Sequence, residues 1–84
     1  MQTNSITPFR SPYHVTKNLF EASFLLAKGF PLTEKEESGG KVAFFFEGEG
    51  VSEASLQYYN RKALIDPKAF VDCLRDLKES IFER

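Results

Sequence analysis

The chain contains one histidine and one cysteine, His14 and Cys73, and these side chains are the best suited to nucleophilic catalysis. A cysteine nucleophile needs a lowered pKa and a neighbouring base, which the histidine could supply. Helical periodicity, however, predicts that Cys73 is a small core residue of the last helix, and His14 is predicted to be a solvated strand residue. We therefore expect no catalytic residues and a protein that is not an enzyme.

Four acidic residues follow the aromatic segment of the chain and could be imagined around a divalent cation: Glu47, Glu49, Glu53 and Asp66. Their spacing does not match a calcium-binding loop. The glycines between them have neither the dinucleotide-binding nor the Walker spacing, so this segment is predicted to form solvated turns. We expect no metal ion and no cofactor.

The segment YYNRK, residues 58–62, combines rings that could stack on bases with cations that could contact phosphates: Tyr58, Tyr59, Arg61 and Lys62. The same residue types are also typical of a helix carboxyl terminus, where cations meet the negative end of the helix dipole. A formal net charge of −1, from 11 basic and 12 acidic residues, provides no general attraction to nucleic acid. A nucleic-acid-associated regulator is therefore our second hypothesis.

Length and composition predict a single domain that carries these residues. The 84 residues, 42% hydrophobic and 27% charged, hold one core. Residues 13–84 are predicted to form it, and residues 1–12, rich in polar residues and proline, a flexible arm. A lone cysteine excludes an intramolecular disulfide, and no segment has the roughly 18 apolar residues that span a bilayer. We expect a cytoplasmic protein with no membrane partner.

The pattern of apolar residues predicts the element order β-α-β-β-α-α. This is an α+β fold in which helices pack mainly on one face of a small antiparallel sheet of about three strands. Asn18 and Glu21 form a capping-box pattern at the start of the first helix, in which only Glu21 and Lys28 are expected to contact water. Ser52 is predicted to cap the second helix, and Asp66 the last.

Three consecutive phenylalanines dominate the segment VAFFFEGEG, residues 42–50. In a strand, Phe44 and Phe46 share the core face with Val42, and Phe45 points the opposite way. Phe45 then needs cover from another element, a second subunit or a partner. With apolar residues at the edges of the helices, it predicts a contact surface made of Leu25, Phe45, Val71 and Phe82.

These expectations favour a non-catalytic binding or assembly module that self-associates, as a homodimer, or binds a protein partner. A domain of this size buries only about 60% of the surface that its unfolded chain exposes, so self-association would add to a small stability margin.

Three segments carry a resemblance to a known family: ASFLLAKGF at residues 22–30, Val-x-Phe-x-Phe at residues 42–46, and a connection with Tyr-Asn and Asp-Pro-x-x-Phe at residues 59–70. Over residues 13–82 the chain resembles small prokaryotic and phage-associated domains that have no assigned function. Since the shared positions are apolar or cap helices, the resemblance implies a fold rather than an activity. It implies no catalytic or binding residues.

Overall fold

The computed structural model describes residues 12–82, and side chains as far as residue 81. Its elements are, in chain order, β1 (Tyr13–Thr16), α1 (Leu19–Lys28), β2 (Leu32–Ser38), β3 (Lys41–Glu47), α2 (Val51–Tyr59) and α3 (Pro67–Phe82). The strands form one antiparallel sheet in the order β1-β3-β2. The predicted α+β class and element order are confirmed. The predicted flexible arm lies outside the described residues, apart from Pro12.

Strand β3 places its three phenylalanines on both faces of the sheet. Phe44 and Phe46 are each 1% exposed, and Val42 packs beside them, so these three residues occupy the core face. Phe45 is half-buried and lies outside the core cluster. The predicted alternation is confirmed, and it follows from the two-residue period of a strand.

All three helices pack on the face of the sheet that carries Phe44 and Phe46, where one cluster of buried residues joins them: Ala22, Phe24, Leu25, Val51, Ala54 and Leu77. On the opposite face Tyr13 and Val15 are 63% and 51% exposed. We refer to this second face as the open face, because no described element covers it. None of the described helices is long and apolar enough to cross a membrane.

The position of Leu25 differs from the prediction. Its side chain is 0% exposed, so the expectation that Leu25 belongs to a contact surface is wrong. Helix α1 is enclosed on more than one side, by the sheet and by the neighbouring helices. Leu25, which lies outside the main apolar arc of the helix, is therefore buried as well.

The start of α1 keeps one half of the predicted capping box. The Asn18 side-chain oxygen accepts hydrogen bonds from the backbone N–H groups of Phe20, at 2.9 Å, and Glu21, at 3.1 Å. The reciprocal bond is absent, because the backbone N–H of Asn18 donates instead to Thr16 Oγ1, at 3.0 Å. The Glu21 side chain is free of the capping role and points into the interior.

Glycines with positive φ end α1 and turn the hairpin between β2 and β3. Gly29 follows α1 with a φ of 105°, and the N–H of Phe30 donates to the carbonyl oxygen of Leu25 at 3.1 Å. Gly39 and Gly40, with φ values of 60° and 81°, join β2 to β3. These backbone conformations are the ones that glycine adopts without steric cost.

The two later helices differ in how well their starts were predicted. Asp66 caps α3, since its Oδ2 atom accepts a hydrogen bond from the N–H of Ala69 at 2.9 Å. Helix α2, by contrast, begins at Val51, and its N-cap is Gly50 rather than Ser52. The prediction for Ser52 is wrong because the left-handed turn at Gly50 already starts the helix, which places Ser52 inside its first turn.

Candidate functional site

A carboxylate lies in the core of this domain. Glu21, on the first turn of α1, is only 2% exposed, so the expectation that it contacts water is wrong. Strand β1 presents His14 and Thr16 to it, because the alternation that turns Tyr13 and Val15 outward turns the residue after each of them inward. Burial of a charged group requires compensation by hydrogen bonds or by another charge.

Four side chains donate hydrogen bonds to Glu21. Its Oε1 atom accepts from Thr16 Oγ1 at 2.6 Å and from the Tyr59 hydroxyl at 2.7 Å. Its Oε2 atom accepts from Ser55 Oγ, and His14 Nε2 lies 2.7 Å from the same oxygen. A carboxylate has about four acceptor positions, so this set fills its capacity. We refer to these five residues as the Glu21 cluster.

The Glu21 cluster joins three elements through one group. His14 and Thr16 come from β1, Glu21 from α1, and Ser55 and Tyr59 from α2, one turn apart on the same helix face. The carboxylate thus connects the edge strand of the sheet to the two helices that pack beside it. Its first role is to hold this corner of the fold together.

The hydrogen bonds determine the protonation state of the cluster. Burial raises the pKa of Glu21, but the bonds from Ser55, Thr16, Tyr59 and His14 lower it by more, so the pKa lies below its ordinary value of 4.5. Burial and the adjacent carboxylate raise the pKa of Tyr59 above 10.0. Glu21 is therefore an anion at neutral pH, and Tyr59 remains a protonated donor.

This arrangement contains serine, histidine and a carboxylate, but not in the order that nucleophilic catalysis uses. In a catalytic triad the histidine lies between the nucleophile and the acid, where it takes the proton of the nucleophile. Here Glu21 lies between Ser55 and His14, and its lowered pKa makes it a weak base near neutrality. Glu21 and Ser55 are also buried, at 2% and 6% exposure. The geometry suits a structural anion.

Cys73 and His14 occupy separate surroundings. His14 is half-buried against Glu21 rather than solvated, so its predicted solvent exposure is wrong. The Cys73 thiol is half-buried on α3, and its pKa is raised by burial and then by the charges of Asp76 and Asp72. A raised pKa leaves little thiolate at neutral pH, which is the opposite of what a nucleophile needs.

The YYNRK segment ends α2, and its two tyrosines have structural contacts. The Tyr58 ring packs on Phe24, with centroids 5.5 Å apart, and lies edge-on to Tyr59 at 5.0 Å. Arg61, in a left-handed conformation with a φ of 62°, and Lys62 are both exposed. The four candidate nucleic-acid contacts are therefore adjacent, but one ring is half-buried and the other is held by its hydroxyl group.

The remaining predicted contact residues lie on different sides of the fold. Phe45 belongs to the open face, in register with Val15 of β1 and Glu34 of β2. Val71 is 50% exposed on α3, which packs on the covered face, the face of the sheet that carries Phe44 and Phe46. The side chain of Phe82 lies outside the described residues. Phe45 and Val71 therefore cannot belong to one continuous surface.

A family model matches residues 11–83, almost the whole chain, and its description is "Domain of unknown function (DUF5659)". The chain belongs to this family. No curated protein and no solved structure matches it at a significant level. The match confirms the predicted resemblance to a domain of unknown function, and it carries no site residues onto this DUF5659 domain.

The Glu21 cluster of this DUF5659 domain was not predicted from its sequence. Thr16, Glu21 and Ser55 have no motif spacing, because they come from three elements that meet only in the folded chain. The sequence contained one indication of this burial. A helix that is apolar around most of its circumference is enclosed on several sides, and this favours burial of an acidic residue on it.

Proposed function

We propose that this DUF5659 domain is a non-catalytic binding module that self-associates as a homodimer through its open face. The apolar part of that face consists of Tyr13, Val15, Ala43 and Phe45. The observation that carries the proposal is the exposure of Tyr13 and Val15, at 63% and 51%, beside the half-buried ring of Phe45. Contiguous exposed apolar side chains on a small domain are typical of an interaction surface.

The distribution of charge on the open face favours a second copy in one orientation. Strand β2 carries Glu34 and Glu36 opposite Phe45 and Ala43, and β3 ends with the exposed Glu47 opposite Tyr13, whereas the side chains of β1 on this face, Tyr13 and Val15, carry no charge. A two-fold axis near Val15 would place the apolar halves of two copies together and the acidic β2 strands at opposite outer edges. The glutamates of β2 in the two copies then stay apart, which favours this isologous arrangement.

The absence of catalysis in this proposal is supported by the state of the nucleophilic groups. The Ser55 hydroxyl is committed to Glu21, and the pKa of Cys73 is raised. The binding function thus rests on a surface rather than on reactive side chains.

Sedimentation velocity on the full chain, from about 5 to about 500 μM, tests the proposal. We expect a concentration-dependent dimer, which Val15→Glu weakens at least about tenfold because it places a charge in the apolar half of the face. Val71→Glu is the matched control. It changes the same residue type at nearly the same exposure, 50% against 51%, on the other side of the fold.

Two outcomes would contradict this interface. A monomer throughout the concentration range would remove self-association. A dimer that Val71→Glu disrupts and Val15→Glu leaves intact would move the interface to α3. Circular dichroism of both variants establishes that each one keeps the native helix content.

The nucleic-acid hypothesis is retained as a second candidate because Arg61 and Lys62 are exposed at the end of α2 and have no ion-pair partner among residues 12–81. Filter binding to single-stranded and double-stranded DNA and RNA at low salt tests it. Binding that is lost on Arg61→Glu with Lys62→Glu would favour it. No binding at low salt would eliminate it.

Two further proposals come with the first. A cytoplasmic location is supported by the lone Cys73, since secreted domains of this size usually depend on disulfides. A prokaryotic or phage-associated origin is supported only by the resemblance described above.

A further inference from the structure

A groove lies on the covered side of the sheet. It has a volume of about 390 Å³, within the range of ligand pockets, and is lined by Lys17, Leu19, Gly40, Lys41, Val42, Phe44 and Ile81. The lining comes from the β1–α1 junction, the hairpin turn with the start of β3, and the last turn of α3. Three separate parts of the chain therefore converge on it.

The floor of the groove is an uncovered part of the core. Phe44 is fully buried, whereas Leu19, Val42 and Ile81 pack against the core and are still half-exposed. Such a floor gains from contact with another apolar group, because the contact removes apolar surface of both groups from water. The four apolar side chains of the floor provide a surface on which one large apolar side chain could pack.

The rim of the groove is positively charged. Lys17 and Lys41 are exposed, and neither has an ion pair or a side-chain hydrogen bond to another residue in the range 12–81. None of the described lining residues is acidic, although the whole chain has more acids than bases. Two unpaired ammonium groups around an apolar floor complement two separate negative charges that flank an apolar group.

The groove continues toward β2. A second hollow of about 310 Å³ shares Val42 and Ile81 with it and is also lined by Lys35, Glu37 and Ser80. Here Lys35 Nζ donates a hydrogen bond to Ser80 Oγ at 2.7 Å. An extended segment could therefore lie along both hollows, past the end of α3.

We propose that this groove binds a short acidic peptide segment of a partner protein, with one large apolar side chain on the floor and carboxylates beside Lys17 and Lys41. A fatty acid would offer a single carboxylate for the two lysines, whereas an acidic peptide offers one carboxylate for each. The proposal goes beyond self-association, because the groove and the open face lie on opposite sides of the sheet.

The test is a fluorescence-anisotropy titration of the full chain with a labelled peptide, Gly-Asp-Glu-Phe-Asp-Glu-Gly. We expect saturable binding that weakens with added salt, since the charge pairs are solvent-exposed. A peptide with alanine for phenylalanine, and one with asparagine and glutamine for the acids, should each bind at least about tenfold more weakly.

A matched pair of double variants locates the site. Lys17→Glu with Lys41→Glu should weaken the binding at least about tenfold, whereas Lys68→Glu with Lys78→Glu, which makes the same change in net charge on exposed parts of α3, should change it less than about twofold. In amide NMR spectra the peptide should shift Lys41, Val42 and Ile81. Val15→Glu, which breaks the proposed dimer, should leave peptide binding intact.

Several results would overturn the proposal. These are no saturation up to about 1 mM peptide, equal binding of the three peptides, equal effects of the two double variants, and shifts confined to the open face. Shifts at the groove that follow protein concentration without peptide would identify a second copy as its occupant instead. The peptide series needs no variant, so it decides the question even if a double variant unfolds.

Discussion

The covered face and the open face of the sheet differ in the kind of side chain that they receive from the four-residue strand β1. On the covered face, His14 and Thr16 of β1 are polar and donate to the buried Glu21. On the open face, Tyr13 and Val15 are apolar and exposed. Strand β1 thus reverses the usual alternation of apolar side chains inward and polar side chains outward.

The two kinds of side chain are stabilised in different ways. A polar group in the core is tolerated where every hydrogen bond is made, as around Glu21, and it then connects elements in a single geometry. Apolar surface on the open face stays in contact with water in the described fold, so covering it by another molecule would be favourable. We infer that the Glu21 cluster is structural and that the open face is available for association.

The largest expected difference between the two faces concerns neighbouring rings. Phe44→Ala should lower the free energy of unfolding by about 4 kcal/mol, because it removes a buried ring and leaves a cavity. Phe45→Ala, one residue away, should cost about 1 kcal/mol, since this ring is half-buried and outside the core cluster. Urea unfolding, at a protein concentration too low for the proposed dimer to form, measures the stability of both variants. Equal losses would mean that the open face is covered within the chain.

The next largest effect comes from the buried carboxylate. Glu21→Gln should cost about 3 kcal/mol, because an amide cannot accept four hydrogen bonds and turns its own donors toward other donors. Glu53→Gln, the same change at an exposed position of α2, should stay within about 0.5 kcal/mol. Thermal unfolding of the two variants compares them. A small effect at Glu21 would show that the cluster reorganises around a neutral group.

The pH dependence of stability sharpens the same comparison. The folded-state pKa of Glu21 is below its ordinary value of 4.5, so its contribution is complete above about pH 4.5 and is lost as the pH falls through the folded pKa. Urea titrations from about pH 6 to about pH 3 should show a steep loss in the native chain and a shallower one in Glu21→Gln. The variant Glu53→Gln should follow the native curve, and parallel curves for all three proteins would exclude this role.

The smallest effect distinguishes the two adjacent tyrosines. Tyr59→Phe removes the hydroxyl that donates to Glu21 and should cost about 1 kcal/mol. Tyr58→Phe should be nearly neutral, because Tyr58 contributes its ring to packing on Phe24. Chemical denaturation with at least three repeats resolves this difference. A larger loss of stability in Tyr58→Phe than in Tyr59→Phe would contradict the role that we assign to the Tyr59 hydroxyl.

Local chemistry predicted most of the boundaries of this fold. Asn18 and Asp66 cap helices, and Gly29, Gly39 and Gly40 have positive φ, because each of these choices depends on one residue and its immediate neighbours. The inward and outward positions of the phenylalanines followed from the strand period alone. The start of α2 was mispredicted by two residues, since the left-handed Gly50 is the N-cap in place of the expected Ser52.

The candidate site was less predictable, and the reason is the distance along the chain between its parts. Glu21 and Ser55 are 34 residues apart, and neither carries a signal of burial on its own. Leu25 was wrongly assigned to a surface because a helical wheel does not show how many neighbouring elements enclose the helix.

The sequence by itself determined which segments are helical or extended, which of the three consecutive phenylalanines face inward, and where the turns fall. Periodicity and capping depend on residues within a few positions of one another, so they can be recognised from the sequence without knowledge of the tertiary structure. Only the tertiary structure decided that a glutamate belongs in the core, that Phe45 and Val71 lie on opposite sides, and that two lysines border one groove. Those facts depend on which elements are in contact, because the burial of a side chain and the compensation of its charge are set by neighbours that are distant in the sequence.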